Sequence, residues 1–337
     1  MFGRKDETMS ESNQTWRVAV LAGGDSDERE ISLQSGSAVQ QALTNRGHLA
    51  LHLDPAVVDL AGVDWRQFDV AFLALHGQFG EDGQVQQILE DAGIPYTGSD
   101  ATSSRLAFSK SAAKERFLQF GVPTPEYSLL HYTDDVARVE RTTREIGYPL
   151  VIKPDCQGSS LGITIVHSAE MVPVALKHCF EFDSFAVVER AIPGTEWTVG
   201  MLDEMVLPPI QIETDREFFD WQAKYVDDDT RYLFDTAFPT HVVTAIADAA
   251  RKACHALGTR GMVRVDLRVD DAMQPWVLEV NTIPGCTSHS LIPKAAARMG
   301  IEFGELCERA IRSCLRHTPP QPHILPRASV RRPTGEH

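Results

Sequence analysis

The stretch VLEVNTIPG at residues 277–285 places two oxygen-bearing side chains, Glu279 and Asn281, two residues apart in an apolar run that ends at Pro284-Gly285. On a β-strand, residues i and i+2 share a face, so the carboxylate and the amide oxygen point the same way. A second apolar run, MVRVDLRV (262–269), carries Asp266. If the two runs form a hairpin around DDAMQP (270–275) with Val269 opposite Trp276, Asp266 faces Glu279 and Arg264 faces Asn281. Like charges across a ladder repel, and a cation between them removes the repulsion. Hard oxygen donors so spaced suit Mg²⁺, which takes one or two carboxylates and completes its octahedron with water and substrate phosphate. A solvated polar face, or neutralisation by Arg264 and Arg268, accounts for the same residues without metal.

A second constellation is LVIKPDCQGSSLGITIV (150–166), where an apolar strand ends at Lys153 and a loop follows with Gly158, Ser159, Ser160 and Gly162. Small residues let backbone N–H groups approach phosphate oxygens, and the lysine adds a point charge. The GxxxxGK[ST] pattern of a Walker A loop is absent, and LAGGDSDERE lacks the GxGxxG spacing of a dinucleotide site. A phosphate loop paired with a Mg²⁺-type face points to ATP.

These groups need elements to hold them. RVAVLAGG (17–24) reads as a strand entering a glycine turn, SLQSGSAVQQALTNRG (32–47) as a helix closed by Gly47, DVAFLALHG (69–77) as a second buried strand, and QVQQILEDAG (84–93) as a helix ended by Gly93. The first hundred residues therefore predict an open α/β layer. Glu28 and His76 fall just past the carboxyl ends of its strands, where such layers bind ligands. SKSAAKERFLQFGVPTPEY (109–127) predicts a helix stopped by Gly121 and then a domain junction. YPLVIKP, GITIV, a helix near 168–179 and FAVVERAI (185–192) predict a small α+β unit. The charged, weakly periodic stretch 213–238 reads as a long loop, and loops of that length often serve as lids. THVVTAIADAARKACHALG (240–258) predicts a helix leading into MVRVDLRV.

Composition narrows the classes. The 337 residues, 43% hydrophobic, suffice for two or three domains. No apolar run approaches a membrane span, and the start MFGRKDETMSESNQTW is too polar for a secretory signal, so the expected location is cytoplasmic. A formal charge of −15 argues against sequence-independent nucleic-acid binding. The six cysteines form no CxxC pair and read as reduced structural thiols.

With these residues in hand, the chain resembles the D-alanine–D-alanine ligase family of the ATP-grasp superfamily. The likeness rests on blocks in order over about residues 17–312: AVLAGGDSDEREISLQSG, LHGQFGEDGQVQ, IPYTGSD, VIKPDCQGSSLG, AKYVDDDT, VRVD and LEVNTIPGCTSHSLIP. It implies an N-terminal α/β domain (17–108), a central ATP-grasp domain (109–192) and a C-terminal one (193–317) with its lid at 213–238; the polar lead (1–16) and the proline- and arginine-rich tail (318–337) read as disordered from composition. It also implies that Asp266, Glu279 and Asn281 hold two Mg²⁺ or Mn²⁺ ions on ATP. Lys110, Lys153, Ser159 and Lys224 would meet phosphates, Glu189 and Ile192 the adenine, and Glu196 the ribose.

The same resemblance assigns Glu28, with His76 nearby, to the first D-alanine, and Ser290 and the Leu291 backbone to the carboxylate of the second. Tyr225 and Ser159 would latch the lid to Glu28, and Arg264 and the Gly285 N–H would meet the oxyanion. The implied reaction joins two D-alanines through an acyl phosphate for the bacterial wall, in a cytoplasmic homodimer with no nucleic-acid or membrane partner. Alternatives are a D-lactate or D-serine second substrate, or an ATP-binding regulator without turnover. Tyr225 favours D-alanine, because relatives making the D-lactate ester commonly carry Phe there. The chain departs from common family residues at Asp155-Cys156-Gln157, Trp221-Gln222 and Cys286.

Overall fold

The computed structural model describes residues 14–215, 230–287 and 289–317. The lead, the tail and most of the expected lid, including Trp221, Gln222, Lys224 and Tyr225, lie outside the described residues.

The chain opens with β1 (Arg17–Leu21), α1 (Arg29–Asn45), β2 (Leu49–Leu53), β3 (Val70–Leu73) and α2 (Gln84–Ala92). The three strands form a parallel sheet in the order β2-β1-β3. Val18 to Leu21 and Val70 to Leu73 are all buried, as continuous apolar strands of a covered parallel sheet should be. β2 escapes a pattern reading because it is an edge strand whose Leu49 and Leu51 stay exposed. Two short helices, α3 (Ala101–Phe108) and α4 (Lys110–Gln119), then lead away. Gly121 follows α4 with φ +64°, a conformation that ends a helix at little cost for glycine.

The middle unit comprises β4 (Tyr127–His131), α5 (Val136–Ile146), β5 (Leu150–Pro154), β6 (Thr164–Val166), α6 (Val172–Cys179) and β7 (Phe185–Arg190), its antiparallel sheet ordered β4-β7-β5-β6. The last unit comprises β8 (Thr195–Leu202), β9 (Met205–Val206), β10 (Ile210–Glu213), β11 (Arg231–Leu233), α7 (Thr240–Leu257), β12 (Met262–Val269), β13 (Pro275–Asn281), α8 (Leu291–Arg298) and α9 (Phe303–His317). Its sheet runs β11-β10-β8-β12-β13, with β9 on β8. One correction falls here: residues 213–238 are not loop throughout. Arg231–Leu233 return as β11 and pair antiparallel with Gln211–Glu213. Three residues are too short to leave a periodic signal.

The hairpin register needs a second correction. Arg264 faces Asn281 and Asp266 faces Glu279, as expected, but Val269 faces Pro275 instead of Trp276, because the register shifts between Asp266 and Leu267. The extra residue is Leu278, and this β-bulge lets Leu278 and Glu279 both look into the nucleotide-sized cleft. Finally, α8 and α9 return to the first sheet, where Ile292, Leu306 and Ile311 share a core with Val18, Val20 and Phe72. Among the described residues, no helix is long and apolar enough to cross a membrane.

Candidate active site

A cleft of about 1260 Å³ lies between the middle and last sheets, lined by Val151, Lys153, Ile192, Glu196, Asp266 and Leu278, among others. An adjoining pocket of about 630 Å³ is lined by Glu28, His76, Lys110, Ser159, Arg264, Asn281 and Gly285, among others. Glu279 lines both. The acidic strand pair thus stands where the two compartments meet, with Asp266 on the cleft side and Asn281 on the pocket side.

Lysines enter from α4 and from β5 of the middle unit. Lys110, the first residue of α4, is buried, donates from Nζ to the Gln157 carbonyl (2.6 Å) and lies 3.6 Å from the Glu279 carboxylate. Lys153, near the end of β5, donates to Glu189 Oε1 (2.5 Å). Pattern reading missed a third: Lys114, fully buried one turn beyond Lys110, bonds Thr124 Oγ1 (2.7 Å) and lies 2.8 Å from Glu189 Oε2. Its i, i+4 spacing from Lys110 was the available signal. Burial pushes Lys114 down to about 8 against the pull of Glu189. Burial would raise the pKa of Glu189, but Lys114 and Lys153 outweigh it and hold the carboxyl at about 2. Glu189 lines the cleft with a carboxylate committed to two lysines, while Ile192 is a buried apolar wall and Glu196 sits 3.5 Å from Arg268.

The loop after β5 departs from regular backbone. Ser159 and Ser160 are both left-handed, at φ +52° and +58°, a conformation that costs non-glycine residues energy and tends to cluster at functional sites. Ser159 donates its hydroxyl to Glu28 Oε1, tying the loop to the first sheet. Gly158 permits this approach, since a Cβ there would lie 2.7 Å from Glu28 Oε2. The departure at Asp155 also finds a structural role. Its carboxylate accepts from the Ser111 N–H (2.6 Å) and the Ser109 hydroxyl (2.9 Å), so the loop's root is fastened to the start of α4. Cys156 is an inert thiol, with its pKa pushed up to about 12 by burial.

On the acidic face, Asp266 accepts from Thr198 Oγ1 (2.7 Å) and from Arg264 Nη2 (2.8 Å). The arginine therefore does neutralise one carboxylate, as an all-protein account of the face expects. The oxygen donors of Asp266, Glu279 and Asn281 nevertheless fit a hard cation that completes its shell with phosphate. No cluster of three or more His, Cys, Asp or Glu side chains suited to a metal occurs among the described residues.

Beside Glu28 lies a buried pair that pattern reading noticed only in part. His76 Nδ1 donates to the Ile283 carbonyl (3.0 Å) and lies 3.7 Å from Glu81, which occurs in the same HGQFGEDG block. Burial alone would lower the pKa of His76; the adjacent Glu81 and Glu28 carboxylates reverse that and raise it, while burial raises Glu81. Ser290 precedes α8, and its Oγ accepts from the Thr287 N–H (3.0 Å), leaving Leu291 to open the helix with its N-terminal N–H groups.

A nucleotide-sized cleft between two antiparallel sheets, faced by lysines and an acidic strand pair and set behind a parallel α/β unit, defines an ATP-grasp ligase. Models of the D-ala D-ala ligase N-terminus and C-terminus match residues 55–99 and 117–312. The chain belongs to the D-alanine–D-alanine ligase family. It is 41% identical over 296 residues to the D-alanine–D-alanine ligase of Gloeobacter violaceus, covering 88% of this chain and 98% of that one. It is 44% identical over 299 residues to that of Marinobacter nauticus, covering 89% and 91%. Among solved structures, the Bacillus anthracis ligase complexed with ATP superposes with a TM-score of 0.80 at 32% identity, covering 90% of this chain and 99% of that one. The VanG D-Ala:D-Ser ligase from Enterococcus faecalis gives 0.77 at 29%, covering 89% and 99%.

Proposed function

We infer that this enzyme uses ATP to join two D-alanine molecules into D-alanyl-D-alanine, a precursor of bacterial peptidoglycan. The observation that carries the reading is the position of Glu279, which lines both the nucleotide cleft and the pocket holding Glu28, Arg264 and Gly285.

Adenine enters the cleft against Ile192, whose N–H has no partner among the described residues, with the ribose toward Glu196. Lys110 and Lys153 hold the phosphates, and the Ser159 loop closes over them. Asp266, Glu279 and Asn281 would hold two Mg²⁺ or Mn²⁺ ions, which when bound would offset charge on the transferring phosphoryl group. The first D-alanine places its ammonium toward Glu28, beside His76, and its carboxylate oxygen attacks the γ-phosphorus of ATP, releasing ADP and leaving an acyl phosphate. The second D-alanine, held by Ser290 and the Leu291 N–H, attacks that carbonyl with its neutral amine. A C–N bond forms, the amine gives up a proton, and the C–O bond to phosphate breaks. Arg264 and the Gly285 N–H meet the oxyanion, where such donors act most strongly in a water-excluded site. Lys224 and Tyr225 complete the reading from the lid. Residues 17–108, 109–192 and 193–317 serve as its three domains, in a cytoplasmic homodimer.

A phosphate-release assay with ATP and Mg²⁺ across D- and L-amino acids tests this. Release with D-alanine and recovery of the D,D-dipeptide is the expected result; release only with D-serine or D-lactate as second substrate would replace it with the neighbouring specificity, and no release would leave an ATP-binding protein without turnover.

A further inference from the structure

The turn after β13 carries the oxyanion donor of the reading above, and the structure holds both ends of that turn from outside. Within it, the Ile283 N–H donates to Asn281 Oδ1 (3.0 Å), Pro284 has no N–H, and the Gly285 N–H has no partner among the described residues. Ahead of Pro284-Gly285, the Ile283 carbonyl accepts from His76 Nδ1 (3.0 Å). Behind it, the Cys286 N–H donates to Ser35 Oγ (3.3 Å). Ser35 Oγ and His76 Nε2 are 3.1 Å apart, so the two holds join into one ring. The roles follow from chemistry. A carbonyl only accepts, so Nδ1 carries a proton; Nε2 accepts from the Ser35 hydroxyl when the ring is neutral and donates to Ser35 Oγ when it is charged, and the ring of contacts holds in either state.

Ser35 is an unusual residue to find where it is. It lies inside α1, with no exposed surface, and serine is a poor choice for a helix interior because its hydroxyl competes with the helix for backbone hydrogen bonds. A buried hydroxyl is tolerated only when bonded, and its two partners here are distant in sequence: His76 and Cys286, the latter 251 residues away. Ile283 and Cys286 are themselves buried, so no water replaces these bonds from the surface.

We propose that Ser35 is a positioning residue for amide-bond formation: with His76, it clamps the Ile283–Cys286 turn so that the Gly285 N–H points at the oxygen of the carbonyl whose carbon the second substrate attacks. It touches neither substrate nor nucleotide and acts through the turn. This rests on the ligase reading and adds a separable consequence. The clamp serves the step in which an oxyanion develops, amine attack on the acyl phosphate, and not the earlier phosphoryl transfer, which is governed by the lysines and the acidic strand pair.

The two half-reactions can be read apart. With D-alanine and ATP labelled at the β,γ-bridging oxygen, positional isotope exchange reports reversible acyl-phosphate formation, and dipeptide yield reports ligation. Loss of an oxyanion donor outright costs about 10²–10³ in turnover. For a donor left in place but unaimed in Ser35→Ala, we expect dipeptide kcat to fall about tenfold or more. Isotope exchange and the KM for ATP should stay within about twofold of wild type, and Ser35→Thr, which keeps the hydroxyl, should recover most of the ligation rate. Retained exchange also certifies a folded nucleotide site. Equal loss of exchange and ligation, the mark of a merely structural serine, overturns the proposal, as does ligation within twofold of wild type in Ser35→Ala. A wild-type enzyme showing neither exchange nor dipeptide with D-alanine would instead defeat the ligase reading itself.

Discussion

At the scale of single residues, the site is a set of charges placed where each has a counterweight. Glu279 faces Asp266 across the ladder and lies 3.6 Å from Lys110. Glu279→Gln keeps the shape and the lysine's neighbour but removes a carboxylate from the face proposed to hold the cations. Turnover should drop by about two orders of magnitude or more, with the melting temperature little changed, because charge stabilisation in phosphoryl transfer is worth several kcal/mol. Near-normal turnover at saturating ATP and Mg²⁺ would remove Glu279 from the metal set. Lys114 sits deeper and is predicted to matter for stability first. Lys114→Met leaves Glu189 with Lys153 alone and Thr124 Oγ1 with only the Val277 carbonyl. Breaking a buried pair by removing one member costs roughly 3–5 kcal/mol. The variant should therefore melt markedly lower, and its KM for ATP should rise as Lys153 is drawn further onto Glu189; an unchanged melting curve would show that the pair carries no net stability.

At the scale of elements, the Ser159 loop and α4 form one unit joined through Asp155. The carboxylate receives the Ser111 N–H and the Ser109 hydroxyl, while its own carbonyl accepts from the Lys110 N–H (3.0 Å). Asp155→Ala removes a capping interaction worth about 1 kcal/mol and loosens the loop root relative to the helix bearing Lys110. A several-fold higher KM for ATP with a smaller change in kcat is expected from steady-state kinetics; a selective loss of kcat would place Asp155 in the chemistry instead. The family likeness marks this position only as a departure. Its use became visible once β5 and α4 were set side by side. The bulge at Leu278 belongs to the same scale. Alternation alone predicts a regular ladder, and an extra residue in one strand is decided by how β13 packs between β12 and the cleft.

At the scale of the whole molecule, three carboxylates are held at about 2: Asp54 chiefly by Arg29, Glu189 by Lys114 and Lys153, and Glu308 by Arg46 and His48, in each case against the opposing effect of burial. Their folded pKa values lie below the unfolded ones, so the stability they contribute is fully present above about pH 4.5 and is lost as pH falls from there toward about 2. Acid unfolding followed by circular dichroism should be steep in that window, and Glu308→Gln should flatten it; a stability independent of pH between 5 and 2.5 would contradict the pairing. Glu308 on α9 bonds Arg46 and His48 on the opening unit, so this acid sensitivity bears on how α9 stays docked on the first sheet. That docking was not legible in the sequence. The sequence by itself determined the long periodic or apolar elements, the facing of Asp266 and Glu279, and the ordered motif blocks that place the chain in its family, because strand alternation and glycine-bounded loops are local properties of neighbouring residues. Only the tertiary structure decided the bulge, the burial of Lys114, the pairing of β11, and the ring joining Ser35 and His76 to the Gly285 turn. Those depend on contacts across tens to hundreds of residues, and a serine or lysine at one position carries no local mark of the partner that chain folding brings to it.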